Sequence, residues 1–327
     1  MADLFFGITH EGYRRDVDMS KPLGFCIYCG ECDLKLLTKE HVAPEGLQGD
    51  VILYKASCAE CAKLTGYSET KVLRGPLAVV REQHRLYGKR SADDRPEELT
   101  LEILRQDWSI ERLKLPVAQY PFVFRMPRFP APRFFRPAQS DDADYFRKED
   151  FRQFDTLDGI RKAQAILAED SQRLRLLLDM SIFELSKVLA KIAYGFAVVM
   201  LGPYSIKPYV TELIIAPKEM APSFLYYVGG AFLGDERVEQ LTTNEIGKVV
   251  VRIELYDGKP IVIARVQLLG HVNAPVYDVV VGELIPPGGT TPLVPVPKLK
   301  STTYKELKIL SGQINQKPSL ASPGEPA

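Results

Sequence analysis

The clearest periodic pattern in the chain lies between residues 181 and 202. Ser181 and Glu184 have the spacing of a capping box, in which two residues satisfy free backbone N–H groups at a helix start. Gly202 and Pro203 mark the end of this pattern, since neither favours a continuing helix. The pattern therefore predicts a core helix, and the apolar residues that recur at helical spacing within it are Phe183, Leu185, Val188, Leu189, Ile192, Phe196 and Val199.

The last third of the chain has patterns that are typical of β-strands. They predict strands at 209–216, 248–256, 261–269 and 276–284. Asp257-Gly258 separates two of them and favours a two-residue type I′ hairpin, because both positions of that turn need a positive φ. A long core helix followed by antiparallel strands predicts an α+β fold for this part.

The remaining segments differ in character. Residues 73–88 predict a helix with a basic outer face, 96–106 a short helix, and 155–178 a helix rich in Ala, Leu, Gln and Arg. Residues 120–137 contain five prolines, which exclude regular helix because proline lacks an N–H. Residues 1–90 are rich in turns, as is typical of a small module that a metal stabilises.

Composition excludes several classes of protein. Of the 327 residues, 46% are hydrophobic and 26% are charged, which is typical of a globular protein of about two domains rather than a disordered chain. No apolar stretch reaches the roughly 18 to 20 residues that span a bilayer. The N-terminus lacks the basic and apolar regions of a secretory signal. We therefore expect a cytoplasmic protein that does not bind a membrane.

The cysteines lie in the first fifth of the chain and form two pairs with metal-ligand spacing. Cys26 and Cys29 are one C-x2-C pair, and Cys58 and Cys61 are the other. In a reducing compartment such pairs indicate metal binding rather than disulfides, and four thiolates bind Zn²⁺ tetrahedrally. The simplest alternative is a zinc ribbon without chemistry. The fifth cysteine, Cys32, is either a spare thiol or a substitute for Cys29.

The 28 residues between the two pairs exceed the roughly 15 to 20 of a simple zinc ribbon, and they include Glu40 and His41. With this insert, residues 24–90 resemble the HNH, or ββα-metal, endonucleases of the subclass that carries a structural zinc. In that subclass one C-x2-C pair precedes a β-hairpin, an acid–His pair lies on the first strand, and the second C-x2-C pair opens the next helix. The resemblance implies a treble-clef-like module.

The resemblance also implies a chemistry. His41 would be the general base that takes a proton from the attacking water, which a histidine can do near neutral pH. Glu40 would bind Mg²⁺ or a similar hard divalent ion, which neutralises charge at the scissile phosphate. The alternative for His41 is an ordinary surface histidine.

One position departs from the family pattern. The metal-binding Asn or His that follows the last cysteine is replaced by Ala62, which has no ligand atom. Glu69 lies on the same face of the predicted helix and is the candidate second ligand of the divalent ion. The alternative for Glu69 is a salt bridge with Lys71 or Arg74. Without a second ligand for the divalent ion, the module would not cleave, and the protein would have a nucleic-acid-binding or regulatory role.

The charges balance over the whole chain but are unevenly distributed. Over the full length, 42 Lys plus Arg oppose 42 Asp plus Glu, whereas residues 71–137 contain 14 basic and 8 acidic residues. A local excess of this kind predicts a local anion-binding surface rather than attraction by the whole protein. The candidate phosphate contacts next to the zinc module are Arg74, Arg81, Arg85 and Arg90.

A second basic candidate is residues 120–137, which interleave four arginines with six aromatic residues and no acid. Arg125 and Arg128 could contact a nucleic-acid backbone while the rings stack on exposed bases. The alternative is an extended arm whose rings pack on the C-terminal domain, since large aromatic residues seldom stay exposed. The sequence supports both interpretations.

Together these features predict a metal-dependent HNH-type endonuclease that acts on nucleic acid, with DNA as the expected partner. The predicted cofactors are a structural Zn²⁺ and a catalytic Mg²⁺ or other divalent ion. The alternatives are the non-cleaving nucleic-acid-binding or regulatory protein, and a C-terminal domain that senses a ligand or forms a homodimer. The predicted division is an HNH-like zinc module at 1–90, a basic arm at 91–145, an α+β domain at 146–312 and a disordered tail at 313–327.

Overall fold

The computed structural model describes ten segments of the chain, namely residues 2–6, 21–87, 95–104, 107–135, 151–168, 175–176, 180–216, 224–231, 247–272 and 274–285. The elements within them are, in chain order, β1 (Ala2–Phe6), β2 (Leu37–His41), β3 (Ile52–Cys58), α1 (Ala59–Arg74), α2 (Ala78–Gln83), β4 (Glu98–Leu104), β5 (Ile110–Pro116), β6 (Val123–Pro127), β7 (Phe151–Asp155), α3 (Leu157–Ala168), β8 (Arg175–Leu176), α4 (Ile182–Leu201), β9 (Ile206–Pro208), α5 (Thr211–Ile215), β10 (Val228–Gly230), β11 (Gly247–Tyr256), β12 (Lys259–Leu268) and β13 (Val276–Leu284).

Helix α4 lies at the centre of the fold. The Ser181 side chain accepts a 3.4 Å hydrogen bond from the Glu184 backbone N–H, and Gly202 follows the last residue with a φ of 84°. Nearly every residue of α4 is buried, as expected of a central helix in which most residues are apolar. The predicted core helix is confirmed at both ends.

A six-stranded antiparallel sheet packs against α4. Its strand order is β1-β11-β12-β13-β10, and β9 also pairs with β13. The β11–β12 hairpin turns at Asp257 and Gly258, whose φ angles of 50° and 74° are those that a type I′ turn needs. Strand β1 pairs with β11, so residues 2–6 lie in the sheet of the C-terminal part.

The cysteine-rich part folds as two strands and a helix. Strands β2 and β3 pair antiparallel from Leu37–Cys58 to His41–Ile52, with an irregularity between Thr38 and Glu40. Helix α1 follows β3 directly and packs on α4. We call β2, β3, α1 and the preceding cysteine turn the zinc-ligand unit. The chain is thus mixed α+β with a cysteine cluster in its N-terminal part, as predicted.

The zinc-ligand unit and α4 share one continuous hydrophobic core. Gly195 of α4 lies against Val42, directly after β2, and a Cβ added to this glycine would lie 2.8 Å from Val42 Cγ1. A glycine is therefore favoured there, because the side chain of a larger residue would force Val42 or the helix to shift.

Three predicted helices need correction. Residues 96–106 contain the strand β4 instead, because Leu99, Leu101 and Ile103 alternate with polar residues, and the last two of these are buried. The predicted helix at 73–88 is interrupted at Gly75 and Pro76, between α1 and α2. The predicted helix at 155–178 ends with α3 at Ala168, and 175–176 form a short strand.

One predicted strand is also wrong. Residues 209–216 contain the short helix α5, because Val210, Leu213 and Ile214 are buried at the spacing of one helical face. The strands predicted at 248–256, 261–269 and 276–284 are confirmed as β11, β12 and β13.

The proline-rich segment is extended and packed. Strand β6 pairs with β7, and the aromatic side chains that are buried around it are Tyr120, Phe122, Phe124, Phe129 and Phe135. The packed-arm interpretation therefore holds, and these rings cannot stack on bases in this conformation. Within the described segments, no helix is both long and apolar enough to cross a membrane. The predicted tail at 313–327 lies outside them.

Candidate functional site

Four cysteines converge at the start of the zinc-ligand unit. Cys26 and Cys29 lie in the turn before β2, Cys58 ends β3, and Cys61 lies in the first turn of α1. Their sulfur atoms all lie within 4.8 Å of one another, and Cys29 Sγ is 3.7 Å from Cys58 Sγ. Zinc–sulfur bonds of about 2.3 Å in a tetrahedron place the sulfurs about 3.8 Å apart. The four cysteines can therefore bind one zinc ion.

The position of Cys58 favours metal binding. This residue is the N-cap of α1, and its sulfur accepts a hydrogen bond from the Cys61 backbone N–H at 3.5 Å. Burial is the largest influence and opposes ionisation, but the hydrogen bonds from the Cys61 backbone N–H and from the neighbouring cysteine thiols together outweigh it, so the pKa of the Cys58 thiol is lowered. Thiolates are the ligands that zinc needs, and helix N-termini stabilise them.

Cys32 lies outside this cluster. It is exposed, and its thiol donates a 3.0 Å hydrogen bond to the Gly30 carbonyl. It is thus the spare thiol of the two alternatives, because Cys29 occupies the fourth ligand position.

The second polar cluster is centred on Lys191, in the middle of α4. The Lys191 ammonium lies 2.8 Å from Glu40 Oε1 and 2.5 Å from Glu69 Oε1, and it also donates to the His41 carbonyl. The exposed fractions of the Lys191, Glu40 and Glu69 side chains are 3%, 5% and 20%. Glu40 and Glu69 therefore converge on one position, and a lysine ammonium lies there.

The electrostatics of this cluster favour the charged lysine. Burial alone would lower the pKa of Lys191, but the negative charges of Glu69 and Glu40 outweigh it and raise this pKa to about 12. The Tyr28 hydroxyl lies beside Glu40, and burial followed by the charges of both glutamates raises the Tyr28 pKa well above its usual value. Tyr28 thus stays a neutral neighbour of the ion pairs at any ordinary pH.

The divalent ion that the family resemblance implies does not fit this arrangement. Its two carboxylate ligands would be Glu40 and Glu69, and the Lys191 ammonium already lies between their oxygens. A divalent ion in the same place would be in contact with a buried positive charge. Ala62 adds no ligand atom.

The sequence-predicted site residues are only partly brought together. Glu40, His41 and Glu69 lie in one region, and the imidazole Nδ1 of His41 is buried there. Sequence reasoning missed Lys191. Its signal was a lysine inside an apolar helix, since a buried lysine needs an acidic partner.

The predicted phosphate contacts divide into two groups. Arg74 and Arg85 are exposed and available to a ligand. Arg81 is buried, and its guanidinium donates to the carbonyls of Gly46, Leu73 and Leu86 at 2.8, 3.2 and 3.5 Å. Its assignment to phosphate is therefore corrected, because these bonds hold the guanidinium inside the protein.

The remaining arginines that were predicted to contact phosphate lie outside the zinc-ligand unit. Arg128 is exposed and Arg125 is half-buried, both on the packed arm. Arg90 lies outside the described residues.

The exposed face of α1 places Arg74 in line with two lysines and an aromatic residue that were not predicted as phosphate contacts. Lys63, Tyr67, Lys71 and Arg74 are spaced along this face, and we call them the α1 basic face. The Tyr67 ring is 51% exposed, and Lys71 Nζ lies 5.5 Å from its centre.

Comparison of the chain with known protein families, curated proteins and solved structures found no match.

Proposed function

We propose that this chain is a zinc-stabilised protein that binds nucleic acid without hydrolysing it. The observation that carries the proposal is the Lys191 ammonium between the Glu40 and Glu69 carboxylates. In the enzymes that the motifs resemble, the acidic residue beside the catalytic histidine binds a divalent ion. Here one ammonium of the protein itself already pairs with both carboxylates.

Two further features support the loss of cleavage. Hydrolysis requires that the scissile phosphate and a water molecule reach the metal position. Lys191 belongs to a helix that is buried along nearly its whole length, so this side of the cluster is closed by the core. The usual ligand position after the last cysteine is Ala62.

The α1 basic face supports nucleic acid as the partner. Three cations and one exposed aromatic ring on one helix face can contact phosphates and stack on a base. Because the chain has no net charge, we expect modest binding that depends on this local surface and weakens with salt.

The proposal is tested with the purified full-length protein, fluorescently labelled DNA and RNA oligonucleotides, and a supercoiled plasmid. We expect the protein to bind the oligonucleotides. The affinity should fall by about ten-fold or more when salt is raised from roughly 50 to 200 mM, as for about two to three phosphate contacts. We expect no plasmid nicking with Mg²⁺ or Mn²⁺ beyond that of the His41→Ala variant. Nicking that depends on His41 would overturn the proposal, as would salt-independent or absent binding.

A second candidate function is the metal-dependent endonuclease. The observation that favours it is the convergence of Glu40 and Glu69 on a single cation position beside His41. In that case Lys191 would have to leave the position before an ion could enter. Nicking that Glu40→Gln and His41→Ala both abolish would establish this second function.

A further inference from the structure

We infer that Lys191 is a tethered cation that replaces a divalent ion between Glu40 and Glu69, and that it fastens the zinc-ligand unit to α4. The inference deepens the proposed function, because it names what occupies the cation position. It rests on that proposed function, but its test requires no nucleic acid, so failure of the cation position is distinguished from failure of nucleic-acid binding.

Three oxygen atoms of the described residues lie close to the ammonium nitrogen. A lysine ammonium has three N–H donors, and three acceptors surround it, namely Glu40 Oε1, Glu69 Oε1 and the His41 carbonyl oxygen. They come from the end of β2 and the middle of α1, whereas the lysine comes from α4. The contact therefore joins β2 and α1 of the zinc-ligand unit to the central helix.

The charges of the cluster are those of a cation site. Two carboxylates face one ammonium, so removal of the ammonium would leave two negative charges largely buried. Such a pair is unfavourable without a compensating cation. Its oxygens are hard ligands of the kind that suits Mg²⁺, Ca²⁺ and Mn²⁺.

The distances are also compatible with an inorganic ion. The two oxygens lie 2.8 and 2.5 Å from the ammonium nitrogen. Ca²⁺ binds oxygen at about 2.3–2.6 Å, so small movements of two side chains would bring both carboxylates onto one ion. We therefore expect Lys191→Met, which keeps most of the side-chain volume and removes the charge, to create a divalent-ion site.

The experiment compares the wild type with Lys191→Met and with the double variant Lys191→Met/Glu69→Gln, which restores the charge balance. Mn²⁺ binding is measured by electron paramagnetic resonance, and the melting temperature is recorded with and without Mn²⁺. Zinc content is measured in parallel to show that the cysteine site is intact. We expect Lys191→Met to melt below the wild type and to regain stability on binding one Mn²⁺ per chain. The wild type and the double variant should bind Mn²⁺ at least ten-fold more weakly.

Each other outcome contradicts the inference. If the wild type binds Mn²⁺ as tightly as Lys191→Met does, and Glu40→Gln abolishes that binding, Lys191 does not occupy the position. If Lys191→Met folds and binds no Mn²⁺, the carboxylates do not form a cation site. If Lys191→Met does not fold without Mn²⁺ but folds when Mn²⁺ is present, the inference is supported. If it folds under neither condition while the double variant does fold, the inference is refuted.

Discussion

The Tyr194 hydroxyl of α4 donates a 2.9 Å hydrogen bond to the carbonyl of Ile27, which lies between the first two cysteines. The turn that carries two of the four zinc ligands is thus attached to the central helix at Tyr194, about one helical turn from Lys191. Zinc binding, the carboxylate cluster and the core packing are therefore expected to stabilise one another.

Removal of the zinc should destabilise the whole described core and not only the cysteine turn. We expect Cys58→Ser to lose about one zinc per chain and to lower the melting temperature by roughly 10 °C or more, because structural zinc contributes directly to folding. Metal analysis and calorimetry measure both effects. The control is Cys32→Ser, which should keep its zinc and its melting temperature. Loss of zinc from that control would contradict the assignment of the four ligands.

Gly195→Ala should destabilise the protein although alanine favours helices. The added Cβ would lie 2.8 Å from Val42 Cγ1, and overpacking of this kind costs about 1–3 kcal/mol, which exceeds the roughly 1 kcal/mol gained in helix propensity. Chemical denaturation measures the change. The matched control is Gly66→Ala in α1, where nothing lies within 4 Å of the added Cβ and the free energy of unfolding should rise. Addition of Val42→Ala should recover part of the loss in Gly195→Ala.

Arg81 should prove to be a residue for stability rather than for ligand binding. Arg81→Met leaves the carbonyls of Gly46, Leu73 and Leu86 without the guanidinium, and we expect a loss of about 2–3 kcal/mol in the free energy of unfolding. At temperatures where the variant stays folded, its affinity for nucleic acid should equal that of the wild type. A loss of nucleic-acid affinity without a loss of stability would show that Arg81 contacts the ligand.

The α1 basic face should show the opposite behaviour. Lys63→Ala and Lys71→Ala should each weaken oligonucleotide binding several-fold and reduce the salt slope by about one, because each removes one phosphate contact. Both side chains are exposed, so the melting temperature should change little. Lys114→Ala, on the exposed face of β5, is the control with equal charge loss. An equal loss of affinity in that control would show that the net charge of the protein, and not the α1 basic face, determines binding.

Local patterns were sufficient to predict α4, the β11–β12 hairpin and the four-cysteine cluster. Their signals are short-range: a cap at Ser181, a turn at Asp257 and fixed cysteine spacing. The prediction at 96–106 was wrong because its Glu and Leu residues favour helices, while pairing with β5 favours a strand. Intrinsic propensity was overridden by a partner strand that the local pattern does not identify.

The composition of the carboxylate cluster depends on tertiary contacts. The sequence indicated Glu40 and Glu69 as one ligand set, and the structure brings them to one cation position. The identity of the cation depends on how α4 packs against α1, which no spacing rule gives. Arg81 was misassigned for the same reason, since its burial follows from the carbonyls that surround it rather than from its neighbours in sequence.

The most direct test of the cation position is a crystal structure of the wild-type protein soaked in Mn²⁺, with anomalous data collected at the manganese and zinc edges. We predict a zinc peak among Cys26, Cys29, Cys58 and Cys61, and an ordered Lys191 ammonium between Glu40 and Glu69 with no manganese peak there. A manganese peak between the two carboxylates, with Lys191 displaced, would contradict the account.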